Sequence, residues 1–172
     1  MKTISSVHNA TMQHLIGLSK NSNYRRECKS LLLEGKNAIT DVAKKIKIKR
    51  LIVTDHSLVP IDIPAEEVVF ISDSMMHKLS SVKTSEGIIA ELPFPDMQPL
   101  HQKKKLLILD RVRDPGNLGT LIRTSLALGW EGVFFLPGCC DPFGDKALRA
   151  AKGATFQTPL QMGTWDELKE LT

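Results

Sequence analysis

Asn117 and Arg123 stand six positions apart, just after the apolar run Leu106 to Leu109 and a Pro-Gly turn. These residue types suit an oxygen-rich, anionic ligand. A guanidinium grips phosphate bidentately, and a side-chain amide orients a hydroxyl or a carbonyl. The stretch LLILDRVRDPGNLGTLIR reads as a strand, a turn and a helix opened by Asn117. That arrangement puts both residues at the carboxyl end of a strand, where open α/β sheets bind their ligands. Projected at about 100° per residue, Leu118, Leu121, Ile122, Ser125, Leu126 and Leu128 share one half of the helix. The other half holds Gly119, Thr120, Arg123, Thr124 and Ala127, small neighbours that let a ligand or another chain come close to Arg123. The same residues also allow a plainer reading, with Arg123 at the edge of a helix–helix contact and Asn117 as a cap alone.

Other polar groups admit two readings each. Arg149 and Lys152 flank Ala150-Ala151 before Gly153, well placed to meet an anionic substrate. The run Lys44-Lys45-Ile46-Lys47-Ile48-Lys49-Arg50 is either a phosphate-contacting patch or a solvated helix end before a strand. Asp110 ends the Leu106 strand as a catalytic carboxylate or, more in keeping with its position, as a turn residue. There is no G-x-G-x-x-G after a strong strand, no G-x-x-x-x-G-K-[ST] and no G-x-S-x-G. A nicotinamide dehydrogenase, a phosphate-loop nucleotidase and a serine hydrolase therefore lack support. The five histidines are scattered without metal spacing. Cys28, Cys139 and Cys140 give an odd count with an adjacent pair, which suits reduced thiols rather than a disulfide framework or a metal site.

The elements that must carry these groups follow from the pattern. The 172 residues are 42% hydrophobic and 24% charged, ordinary for a globular protein. A net charge of +4 and a pI near 9.0 fit a nucleic-acid partner without requiring one. Aromatics at 5% argue against base stacking on exposed rings. Up to about Pro93, a helix at Thr11 to Leu18 is followed by strands at Ser30 to Gly35, Arg50 to Thr54, Val68 to Ile71 and Gly87 to Ala90, with a helix at Lys36 to Lys45. The prolines of PFPDMQP and the basic run His101 to Lys105 read as a semi-rigid linker. A second unit then reads strand, turn, helix, strand, loop, helix, strand, helix. Its strands are expected at Leu106 to Leu109, Val133 to Leu136 and Thr155 to Leu160, with a last helix capped by Thr164 and Glu167. The expected organisation is a small α/β domain over 1–95, a linker over 96–105 and a partial α/β domain over 106–172. No apolar run nears the roughly 18 residues of a membrane span, and the N-terminus has no secretory or transit-peptide character. A cytoplasmic or organellar chain (plastid or mitochondrion, after loss of a targeting segment) is expected, not a secreted one.

LDRVRDPGNLGTLIRTSLALG resembles the first signature of the SpoU (TrmH-type) family of RNA ribose 2′-O-methyltransferases, part of the SPOUT superfamily. KALRAAKGATFQTP is similar to the family's next block. SSVHNATMQHLIGL, LLLEGKNAI and VKTSEGIIA resemble the ribosomal-protein-like substrate domain that often precedes it. The resemblance implies an α/β fold that ends in a SPOUT knot, S-adenosylmethionine as methyl donor, RNA (rRNA or tRNA) as partner, a homodimer as active form, and no metal. It implies catalytic roles for Asn117 and Arg123, and RNA contacts from Arg113, Arg149 and Lys152. The family's N-E-x-x-G and S-L-N-V-S segments, which supply the knot and most donor contacts, are absent. The expectation is therefore a chain truncated before the knot, with no donor-binding residues of its own and weak donor binding alone. A non-catalytic RNA-binding module is the alternative.

Overall fold

Short apolar runs bounded by glycine, proline or polar turns form the strands, and amphipathic stretches between them form the helices. The computed structural model describes residues 2–171, and the chain divides into two compact units, Met1–Phe94 and Pro95–Thr172. No helix among the described residues is long and apolar enough to cross a membrane.

The first unit runs β1 (Lys2–Thr3), α1 (Ala10–Lys20), α2 (Ser22–Glu27), β2 (Ser30–Glu34), α3 (Lys36–Ala43), β3 (Ile48–Val53), β4 (Ala65–Phe70), α4 (Asp73–Leu79) and β5 (Ile88–Pro93). Its sheet has the order β1-β4-β3-β5-β2. β1, β4 and β3 are parallel, while β5 lies antiparallel between β3 and β2. Met12, Leu15 and Leu18 recur every three residues, so α1 presents one apolar stripe. That stripe packs on Leu32, Ile52, Val69 and Ile89 of the sheet and on Met75, Met76 and Leu79 of α4. Asn21 closes α1 and opens α2 by accepting from the amides of Asn23 and Tyr24. The polar break at Asn21-Ser22-Asn23 is thus a restart, with a second helix where only a basic stretch is legible. Two strand boundaries also move: β3 begins at Ile48, taking Lys49 and Arg50 out of a solvated helix end, and β5 extends to Pro93, paired with Ser30.

The second unit runs β6 (Leu106–Leu109), α5 (Pro115–Ala127), β7 (Gly132–Phe135), α6 (Asp145–Ala151), β8 (Leu160–Met162) and α7 (Trp165–Lys169). Its strands form a parallel sheet in the order β6-β7-β8. Leu100, Phe134 and Leu136 are buried under Leu106, Ile108, Leu168 and Leu171. The segment 96–105 is anchored to this unit rather than free. The Gln98 amide donates to the Leu160 carbonyl, and the Leu100 amide donates to Gln161 Oε1. Thr164 and Glu167 form the expected capping box.

The third strand is displaced from its expected place. Ala154–Phe156 is a turn of 3₁₀ helix, and the strand starts only after Pro159, at Leu160. Lys152 and Gly153 are both left-handed, at φ 47° and 83°, which ends α6 and wraps the chain into that turn. Pro159 has no amide for a ladder, so pairing begins beyond it.

Candidate functional site

The carboxyl ends of β6 and β7 lead into loops 110–114 and 136–144. These are tied to each other: the Cys140 amide donates to the Val112 carbonyl at 2.9 Å, and the Leu136 amide to the Leu109 carbonyl at 2.9 Å. Cys139 Sγ donates to the same Leu109 carbonyl at 3.3 Å. Burial pushes the Cys140 thiol above its ordinary pKa, so Cys140 is a poor source of thiolate. Arg111 sits in the left-handed region at φ 52°, and its stem lies against Gly138, itself at φ 93°. A Cβ on Gly138 would come within 2.7 Å of Arg111 Cγ, so this glycine sets the path of the loop. Asp110 faces the Arg111 guanidinium with two 3.2 Å hydrogen bonds. These bonds raise the Arg111 pKa and make Asp110 a counter-ion within the turn.

Asp114, not Asn117, caps α5. Its Oδ1 accepts from the Asn117 amide at 2.8 Å, and Pro115 takes the first helical position. The D-P-G string carried that signal, because proline lacks an N–H and has a helical φ, and so favours the position after the cap. Asp114 also accepts from Lys146 Nζ of α6 at 2.9 Å. The Lys146 ammonium, and then the Asn117 amide, hold the Asp114 carboxyl below its ordinary pKa. Asn117 is thereby moved into the first turn, with its side chain free of partners.

Gly119 belongs to a different face from the one expected. A Cβ there would lie 2.2 Å from the Ala147 carbonyl oxygen and 2.8 Å from Ala150 Cβ, so Gly119 admits α6 rather than a ligand. Leu118, Ile122 and Ser125 complete the buried side, while Leu128 is 68% exposed. Asn117, Thr120, Arg123, Thr124, Ala127 and Leu128 are all exposed. They form one arc of about 140° at 100° per residue. Arg123 lies on this arc at the rim of the α5–α6 contact, with no hydrogen bond or ion pair among the described residues. Asn117 and Arg123 are separated by about 9 Å of helical rise.

The remaining candidates divide. Arg113 and Lys152 are exposed and carry no side-chain partner. Arg149 is half-buried and engaged with Asp145 one turn earlier on α6. The structure therefore brings Arg113, Asn117 and Arg123 onto one loop and helix, while Arg149 and Lys152 lie on α6 and at its end. Missed from the sequence were Asp114 and Lys146, whose bond ties the start of α5 to α6.

Fold and site define a parallel α/β unit whose carboxyl edge is rich in exposed hydrogen-bond donors. Residues 104–172, nearly all of the second unit, match the SpoU rRNA Methylase family. The chain is 31% identical over 162 residues to the 23S rRNA (guanosine(2553)-2′-O)-methyltransferase RlmP of Bacillus subtilis, across 93% of this chain and 64% of the relative. It is 28% identical over 163 residues to the human mitochondrial rRNA methyltransferase 3, across 87% of this chain and 39% of that one. The AdoMet-bound rRNA methyltransferase from Sinorhizobium meliloti superposes with a TM-score of 0.80 at 25% identity, over 98% of this chain and 67% of that structure. The chain thus spans less than two thirds of the length of the Bacillus subtilis and human relatives.

Proposed function

We infer that this chain serves S-adenosylmethionine-dependent 2′-O-methylation of ribose in RNA, ribosomal or transfer, and that its part is to hold the acceptor nucleotide. Arg123, exposed and without a partner beside the α5–α6 contact, is the single observation that carries this reading. A guanidinium stays protonated near neutrality. It can therefore grip the phosphate next to the target ribose and favour negative charge on the 2′-oxygen. Asn117 orients the hydroxyl, and Arg113, Arg149 and Lys152 meet the backbone.

The same edge is poorly suited to the methyl donor. Arg113, Asn117, Arg123 and Lys152 are exposed, and three of the four are cations. They give no apolar walls for an adenine and would repel a sulfonium. These residues do not fit S-adenosylmethionine, and the 172 residues contain no N-E-x-x-G or S-L-N-V-S segment. By themselves they bind the donor weakly in this reading, and calorimetry showing micromolar affinity would contradict it. Trp130 and Trp165 are large side chains left exposed on the second unit; they support a homodimer. A mitochondrial relative supports an organellar or cytoplasmic setting.

Filter binding to mixed ribosomal and transfer RNA, paired with a methyl-transfer assay, tests the proposal. RNA binding that falls with Arg123→Ala supports it, and absence of RNA binding defeats it. Binding that Arg123→Ala leaves intact, without transfer, favours the RNA-binding module instead.

A further inference from the structure

Arg111 lies just past the carboxyl end of β6, and the loop holds it in an unusual way. Its backbone is left-handed at φ 52°, a conformation that glycine adopts at lower cost. A turn that needed only the bend would be served by glycine, so the gain from arginine lies in its side chain. The backbone is pinned on both sides. The Leu109 carbonyl accepts from the Leu136 amide and from Cys139 Sγ, and the Val112 carbonyl accepts from the Cys140 amide. The stem is fixed as well: Cβ, Cγ and Cδ of Arg111 lie within 3.7 Å of the point where Gly138 would carry a side chain. Gly138, left-handed at φ 93°, gives that space to the stem.

The guanidinium is held far more loosely than the stem. Its hydrogen bonds among the described residues run from Nε and Nη2 to the two oxygens of Asp110, both at 3.2 Å. Strong charge-assisted bonds of this kind measure about 2.7–2.9 Å. The pair is also exposed, Arg111 by 69% and Asp110 by 36%, so water screens it. Two of the five guanidinium N–H groups go to Asp110, and the others point to no partner. A phosphodiester carries the same charge as Asp110 and offers its oxygens to the same planar fork. The two therefore compete for one cation on a rigid stem.

We propose that Arg111 is a further phosphate-binding residue of this edge and that Asp110 restrains it: the guanidinium gives up the Asp110 carboxylate for a phosphodiester of the acceptor strand. The proposal rests on the reading of this edge as the one that holds RNA. Asp110 then acts on RNA affinity through Arg111, by occupying the cation until a phosphate replaces it.

Filter binding of ribosomal RNA to the 172-residue chain, repeated from about 50 to 200 mM salt, tests this with a double-mutant cycle. Arg111→Gly removes the cation at a backbone conformation that suits glycine. It should weaken binding about tenfold. The slope of log affinity against log salt should fall by about 0.7–0.9, the value of one phosphate contact. Its thermal midpoint should stay within about 4 °C of wild type. Arg111→Lys, which keeps stem and charge, should hold the wild-type slope and lose part of the affinity, because an ammonium lacks the planar fork. Asp110→Asn should tighten binding about threefold when Arg111 is present and change nothing in Arg111→Gly. Wild-type affinity and slope in Arg111→Gly, beside a weakened Arg123→Ala, would overturn the proposal and leave the RNA reading standing. An equal gain from Asp110→Asn with and without Arg111 would overturn the restraint, since the carboxylate would then repel RNA directly. If the wild-type chain takes up no RNA, the reading and the proposal fall together.

Discussion

Arg123 spends no interaction inside the protein, which separates its role in binding from any role in folding. Arg123→Ala is expected to change stability by no more than about 0.5 kcal/mol, measured by thermal unfolding. Glu91 is the opposite case. Burial pushes its pKa up, but hydrogen bonds from Arg50 and His14 outweigh burial and leave it below the ordinary glutamate value. The unfolded chain then binds more protons in that interval, so Glu91 adds stability above its unfolded pKa and loses it as pH falls through the folded one. The midpoint of thermal unfolding should drop more steeply in wild type than in Glu91→Gln between about pH 5 and 3. Parallel curves would remove Glu91 from that role. At this scale Arg123 was legible as a lone cation among small residues. The partnership of Arg50 and Glu91 was not, because it depends on the register of β3 against β5, which no local pattern encodes.

Among the elements, the packing of α5 on α6 decides where the site helix lies. Gly119→Ala would drive a methyl group into the Ala147 carbonyl. A loss of about 1–3 kcal/mol is expected from such overpacking, read by urea unfolding, and no loss would mean that the helices separate freely. The strands β6 and β7 were readable as apolar runs, and the capping box of α7 as a motif. α4 was not anticipated: it spans only seven residues and takes its order from packing Met75, Met76 and Leu79 onto the sheet. The stretch before Pro159 resisted reading because a left-handed pair at Lys152 and Gly153 turns the chain where an apolar pattern alone suggests continued extension.

Across the whole molecule, two α/β units carry different sheets. β3 is paired on both sides in the first, whereas β6 and β8 are short edge strands, of four and three residues, among the described residues of the second. Edges pair on one side only, so the amides of Leu51 to Val53 should exchange most slowly and those of Leu160 to Met162 far faster. Uniform protection measured by hydrogen exchange would contradict this. The alternation of strands and helices was visible in the sequence, as was the family signature in the second unit. The mixed order of the first sheet was not, because parallel and antiparallel neighbours are chosen by tertiary packing rather than by local periodicity. The central claim, that the exposed arc of α5 holds RNA, is tested most directly by filter binding of ribosomal RNA to the chain and two variants. Arg123→Ala should weaken binding about tenfold while Lys47→Ala matches wild type; equal binding by Arg123→Ala and wild type would contradict the claim.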